Sequence, residues 1–302
     1  MIVASRELQA PRIIFHAGAP KTGTSSLQRF LAGEGPALQR QGVVYPRAGR
    51  DGGKGRASVK HGSLLRTMRE GDVAGVRERL QAALAECDSG ARDLVISNEA
   101  LFGRWDEIPA PVREVIAELA RTNRVEWWLW LREPISYARS QYIQALKNRR
   151  RGAGLGHGED QSIEEMLETP WFRRRLDYVG YLREIEQLLG RGAVRLFPYG
   201  EDTVRTFCAA IGLEAPPPAL VRRNEVLGEW GVGMLRRLNR ADVSGIRRRV
   251  AIALIERLDA EMSGSRPLTL SGEAQGRIRE LTAPGLEVLA SEFGVVFSIP
   301  RP

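Results

Sequence analysis

The stretch FHAGAPKTGTSSLQRFL, residues 15–31, decides how the rest of the chain is read. Gly18 and Gly23 have the G-x-x-x-x-G spacing of a P-loop, which Lys and then Ser or Thr should follow. Here the next residues are Thr24 and Ser25, and the only lysine is Lys21, inside the loop. The apolar run at 12–15 predicts a buried strand before the loop, and 25–34 predicts a helix after it. A strand, a glycine turn and a helix N-terminus make an anion site, because backbone N–H groups and the helix dipole face the ligand. Thr24, Ser25 and Ser26 add hydroxyl donors, and Lys21 reaches a phosphate from mid-loop. The Walker Lys–Ser/Thr pair that supports Mg²⁺ is not evident, so the site suits a phosphate that stays put while another group leaves it. Taken alone, the same spacing also describes a turn whose glycines only permit packing.

Outward from the loop, short apolar runs alternate with longer helical patterns. Further strands are expected at 42–46, 93–97, 125–131 and 193–198, and helices at about 61–69, 72–87, 111–122, 134–151 and 202–212. The run VEWWLWL at 125–131 is apolar on both faces, which marks a central strand. Strands alternating with helices predict an α/β fold, a P-loop-like parallel β-sheet flanked by helices, with a mainly helical C-terminal part. The expected organisation is a single domain over 1–302, with an α/β core at about 12–215 and a helical portion at about 216–302. The glycine-rich, charged segment 149–162 reads as a loop, and EAPPPAL at 214–220 as a stiff connector.

Composition narrows the partners. Of 302 residues, 43% are hydrophobic and 27% charged, as in ordinary globular proteins. The net charge of +8 favours anionic partners such as nucleotides, nucleic acid, acidic glycans or membrane surfaces. Cys87 and Cys208 stand far apart and outside any metal-type spacing, which suggests a reducing compartment. The start MIVASRELQAPR has no long apolar core, and no apolar run reaches the length of a membrane span. A cytoplasmic location is the expectation.

A second motif, LREPISYARS at 131–140, directly follows the central strand. Arg132 falls at a strand's carboxyl end, where open α/β sheets bind ligands, and Ser140 lies one to two turns into the next helix. An arginine there supplies a bidentate, charge-assisted contact to a phosphate. As an isolated pair, the two residues would equally describe a surface ion pair and an ordinary helix serine.

Together the motifs resemble the PAPS-dependent sulfotransferase family, in particular its bacterial, carbohydrate-type members. PKTGTSSLQ is similar to the family's 5′-phosphosulfate loop and LREPISYARS to its 3′-phosphate motif, Arg-(x)7-Ser. VRLFPYGEDTVRTFCAAIGL at 194–213 and DLVISNEAL at 93–101 add weaker echoes, and the likeness spans roughly residues 12 to 240. The resemblance implies in-line transfer of a sulfuryl group from PAPS (3′-phosphoadenosine 5′-phosphosulfate) to a hydroxyl or amine, with release of PAP and no metal. Carried onto this sequence, Pro20 opens the loop and Lys21 contacts the bridging oxygen. Thr22, Gly23, Thr24 and Ser25 bind the 5′-phosphate, with Ser26 as an extra ligand, and Arg132 and Ser140 hold the 3′-phosphate. Arg222 or Arg223, in VRRNE, would complete that phosphate site, although the glycine that usually follows is missing; a solvated basic turn is the equal alternative.

An acceptor hydroxyl needs a general base. The chain has three histidines, and His16 reads as structural and His157 as solvated. His61, which opens a helix, and Glu99, at the end of the third strand, are equal candidates. The alternatives for them are a surface helix start and a capping or arginine-pairing carboxylate. The KTGTSSLQ loop, the arginine-rich loops and the SQYIQALK helix point to a glycan, glycolipid or other hydroxylated small molecule as acceptor. A homodimer is left open. Two rival readings are a P-loop nucleotide kinase-like enzyme, for which no Walker-B acid is apparent, and a basic module binding nucleic acid or another polyanion. The second would use the arginine clusters at 149–151, 173–175 and 247–249, which lack interleaved aromatics; nucleic acid is therefore not the expected partner.

Overall fold

The computed structural model describes residues 10–51, 59–148, 158–200, 202–214, 227–262 and 266–297. Arg222, Arg223, His157 and the arginines at 149–151 lie outside them. In chain order the elements are β1 (Arg12–Gly18), α1 (Thr24–Gly33), α2 (Gly35–Arg40), β2 (Val43–Val44), α3 (Gly62–Arg69), α4 (Val73–Ala85), β3 (Asp93–Ser97), α5 (Ala100–Arg104), α6 (Ala110–Thr122) and β4 (Val125–Leu131). They continue with α7 (Pro134–Lys147), α8 (Ile163–Leu167), α9 (Pro170–Leu176), α10 (Tyr178–Leu189), β5 (Val194–Pro198), α11 (Thr203–Ile211), α12 (Glu229–Arg240), α13 (Gly245–Met262) and α14 (Gly272–Phe293). The chain divides into two compact units, Met1–Leu131 with Gly180–Pro217, and Arg132–Val179 with Pro218–Pro302. Residues 132–179, which the sequence reading has inside the α/β core, fall in the second unit.

The first unit is an α/β sandwich. Its five strands are all parallel, in the order β2-β3-β1-β4-β5. β4 is buried along its whole length, as its unbroken apolar run requires. Alternate side chains serve opposite faces. Trp127 stacks on Phe15 at 5.0 Å and meets Trp105 at 5.3 Å, while Trp130 stacks on Phe197 at 4.3 Å and Trp128 packs against Phe207. α1 buries Thr24, Leu27, Gln28 and Leu31, the i, i+3, i+4, i+7 stripe of a helix lying on a sheet. β1 is longer than the apolar run at 12–15: it continues to Gly18, because His16 finds a polar partner on β3. β2, by contrast, shrinks to Val43–Val44, paired only with β3 at the edge of the sheet.

The second unit is helical. α7 packs against α12 and α14, and α12 against α13. α8 and α9 occupy a segment to which the sequence reading assigns no element. α8 starts with a capping box, in which Ser162 accepts from Glu165 N–H and Glu165 reaches back to Ser162 N–H. α9 starts with Thr169 as N-cap and Pro170 in its first turn.

Candidate active site

In a parallel sheet every strand delivers its loop to the same edge. In the first unit that edge gathers the loops after β1, β3 and β5. The loop after β1 is held from both sides. Ala19 N–H donates to Trp130 O at 2.9 Å, and Thr203 Oγ1, at the start of α11, donates to Thr22 O at 2.8 Å. Thr22 is fully buried and donates its hydroxyl to Ala19 O at 2.6 Å, so its side chain closes the loop on itself.

Both motif glycines are required by geometry. Gly18 has φ +114°, and a Cβ there would stand 2.9 Å from the carbonyl oxygen of Glu99. Gly23 has φ +76°, and a Cβ there would stand 2.5 Å from Thr203 Oγ1. The bland alternative of a packing turn therefore describes part of the loop, but it does not describe Lys21. That residue also has positive φ, +69°, without being glycine or asparagine. A left-handed lysine costs of order 1 kcal/mol, and such outliers cluster where function over-determines the backbone. Lys21 is half-buried, and the helix that follows has no side-chain cap at Gly23. The N-terminus of α1 thus presents its dipole without a carboxylate or hydroxyl cap, beside Lys21 and the exposed Ser25 and Ser26. Thr24 is buried on the inner side of the helix.

Beneath the loop runs a polar chain. His16, fully buried, has Nδ1 2.7 Å from Ser97 Oγ. Gln28 donates through Nε2 to Ser97 Oγ at 3.1 Å and to Glu99 Oε2 at 2.8 Å. Lys60 Nζ donates to Glu99 Oε1 at 3.0 Å. Burial pushes the Glu99 carboxyl up, but the Lys60 charge and the hydrogen bonds from Gln28 and Lys60 outweigh it and hold the group below its ordinary range. Glu99 is therefore an ionised carboxylate at neutral pH. It stands at the N-cap position of α5 without a side-chain cap bond, and its ion pair is with Lys60 rather than an arginine.

His61 is placed differently. It is 1% exposed, and both ring nitrogens face backbone. Ser97 N–H donates to Nδ1 at 3.0 Å; Pro46 O, 3.2 Å from Nε2, can only accept, so Nε2 carries the proton. His61 O accepts from Asn98 Nδ2, and His61 N–H donates to Ser97 O. His61 thus fastens the end of β3 to the segment after β2. Gln28, Ser97, Lys60 and Thr203 were not singled out in the sequence, although Gln28 was legible as a polar residue on the buried stripe of α1.

Two buried imidazoles set a pH dependence. Burial lowers His16 to about 4, opposed by the charge of Glu99, and it lowers His61 to about 4, reinforced by Arg50. The unfolded chain binds a proton at each near pH 6.5, and the folded chain does not until about 4. Between these values the unfolded state holds more protons, so stability is full above about pH 6.5 and declines as pH falls toward 4. The loss should approach about 3 kcal/mol for each histidine. Urea unfolding at pH 7.5, 6 and 5 should show it, and His61→Gln should flatten the decline; a stability independent of pH across this window would contradict it.

The second unit carries the other motif. Glu133 caps α7, accepting from Ile135 and Ser136 N–H at 2.8 and 2.7 Å. Arg132, immediately before it, is half-buried, and its carbonyl accepts from Tyr178 Oη–H at 2.9 Å. Ser140 is half-buried on α7. Arg139, beside Ser140 on the same helix, donates through Nη1 to Leu268 O at 3.3 Å; burial lowers its proton affinity and the Arg132 charge lowers it further, against Glu133. The clusters at 173–175 and 247–249 are in part committed internally. Arg173 pairs with Glu168, Arg175 lies 4.2 Å over Trp171, and Arg248 is buried on backbone carbonyls. Among the described residues there is no cluster of histidine, cysteine and carboxylate side chains that would hold a metal ion, and no helix is long and apolar enough to cross a membrane.

No protein-family model matches the chain, and no curated protein matches it in sequence. Among solved structures the chain is similar to that of a sulfotransferase from Alicyclobacillus acidocaldarius, with 20% identity over 81% of this chain and 94% of that one and a TM-score of 0.41.

Proposed function

We propose that this chain is a sulfotransferase that moves the sulfuryl group of PAPS to a hydroxyl or amine of a glycan, glycolipid or other small acceptor and releases PAP. The observation that carries the reading is the uncapped N-terminus of α1, with Lys21 held left-handed beside it. Pro20–Ser26 would take the 5′-phosphate, whose oxygens meet backbone N–H groups and the hydroxyls of Ser25 and Ser26. Lys21 would neutralise the bridging oxygen as the S–O bond breaks. Arg132 and Ser140, with Arg139, would take the 3′-phosphate. Arg222 and Arg223 keep their place in the proposal from the sequence alone.

Glu99 is the better of the two base candidates. It is ionised, and only 21% of its side chain is exposed. Its hydrogen-bond donors, Gln28 and Lys60, hold it in one orientation. His61 has both nitrogens engaged with backbone, which supports a structural role. The chemical task is that of group transfer in general: align the reactants and stabilise charge on the leaving oxygen. The Walker-type reading lacks its lysine–hydroxyl pair, and the polyanion reading loses Arg173, Arg175 and Arg248 to internal contacts.

Arg132→Ala tests the assignment of the second phosphate. Losing a charge-assisted contact should weaken PAP binding by about 1.5–3 kcal/mol. Binding of 5′-AMP, which has no 3′-phosphate, should change little. Calorimetry with both ligands reads the difference, and equal losses would mean that Arg132 supports the fold instead.

A further inference from the structure

Helix α13 carries its polarity inside out. The buried positions are Arg248, Ile255 and Asp259. Both charged ones close the ends of neighbouring helices. Asp259 accepts from Gly228 and Gly231 N–H at 2.7 and 2.8 Å, at the start of α12, and Arg248 donates to Leu146 and Asn148 carbonyls at 2.8 and 2.9 Å, at the end of α7. The outer surface instead carries Ile246, Val250, Leu254, Leu258 and Met262, each between 44% and 69% exposed. An ordinary surface helix has the reverse arrangement. A contiguous apolar run of this kind marks an interaction surface.

The spacing of the run says what fits it. Steps of four residues make an i±4n ridge, and two such ridges interdigitate when their helix axes cross at about 50°. The ridge is also symmetrical about Leu254. Val250 and Leu258 lie four residues to either side, and Ile246 and Met262 eight. Turning the helix end for end lays the ridge on itself. The same operation lays Arg247 on Glu261, seven residues to either side, both exposed. Seven residues are close to two full turns, so both point within about 20° of Leu254. The ridge is therefore complementary to its own reversed copy in shape and in charge. Arg257 falls opposite Ala251, whose methyl group leaves it room.

We infer that α13 is the docking surface for a second copy of this chain, packed antiparallel about a two-fold axis at Leu254, with Arg247 of each copy against Glu261 of the other. Such an isologous contact is the commonest form of a closed dimer. An anionic lipid surface would use the ridge and its arginines, but it would repel Glu261 and has no use for the two-fold match.

The inference is independent of donor binding, and its readout is mass. Sedimentation equilibrium of the full chain should give a dimer. Leu254→Glu places two like charges at the axis and should raise the dimer Kd by about a hundredfold or more, with unchanged circular dichroism because the side chain is exposed. Arg247→Glu should raise it by about tenfold, and Arg247→Glu with Glu261→Arg should restore it. Should Leu254→Glu misfold, the charge swap still decides. A chain monomeric at high micromolar concentration, a dimer indifferent to both sets of variants, or a monomer that cosediments with phosphatidylcholine–phosphatidylglycerol vesicles through Leu254 would each overturn the inference.

Discussion

Lys21→Ala is expected to lose about 100- to 1,000-fold in turnover, the cost of removing one preorganised charge-stabilising group, while PAP affinity falls far less. The split follows from where the charge grows. PAP has no sulfuryl group, so the oxygen that Lys21 would neutralise during transfer is not a leaving group in that complex. Interactions stronger in the transition state than in the ground state raise turnover and leave ground-state affinity nearly unchanged. The left-handed backbone of Lys21 supplies a control. Lys21→Gly should lose the same rate yet be more stable by about 1 kcal/mol, because glycine adopts positive φ without strain. Rates come from labelled PAPS with a panel of sugars, glycolipids and phenols, and stability from urea unfolding. Near wild-type turnover in Lys21→Ala on any acceptor found would contradict the catalytic role.

Glu99→Gln should lose about 100- to 10,000-fold in transfer, the usual span for a general base, with PAP binding intact. Glutamine keeps the shape of the side chain but cannot accept the acceptor's proton. Because Lys60 and Gln28 hold the wild-type carboxyl below its ordinary range, the base stays ionised on acidification. Activity should therefore fall only as pH drops through that lowered value. His61→Gln, in contrast, should keep transfer in the folded fraction, losing the pH-dependent stability described above. The opposite pattern, with His61→Gln inactive and Glu99→Gln active, would reverse the assignment of the base.

The sheet was legible because its strands are nearly continuous apolar runs: 93–97 and 125–131 match β3 and β4 at both ends. The apolar run ends at 15 because His16 interrupts it, so the sequence predicts a shorter β1; its partner Ser97, on another strand, explains why a histidine is buried there. α8, α9 and α10 have no counterpart in the sequence reading, although the start signals of the first two, Ser162 with Glu165 and Thr169 with Pro170, stand in the sequence. α8 and α9 are only 5 and 7 residues long, too short for a helical period to register, whereas α10, with 12, is long enough and its apolar period goes unread. At the site, the loop could be read because its residues are contiguous. The choice between His61 and Glu99 could not, because it turns on which backbone groups each meets across the fold. The same holds for Gln28, which touches Ser97 and Glu99, and for Thr203, whose hydroxyl meets the loop at Thr22. Arg139 adjoins a motif arginine in charge but carries no mark of its own in the sequence.

The proposal that the loop and Arg132 serve a 3′-phosphorylated nucleotide is tested most directly by ligand-dependent thermal unfolding with PAP, ADP and ATP–Mg²⁺. A ligand that binds only the folded state adds about 2.7 kcal/mol at 100 times its Kd. PAP should give the largest rise in Tm, ADP a smaller one, and ATP–Mg²⁺ no more than ADP. A largest shift with ATP–Mg²⁺ would contradict the sulfotransferase reading and favour a kinase-like enzyme.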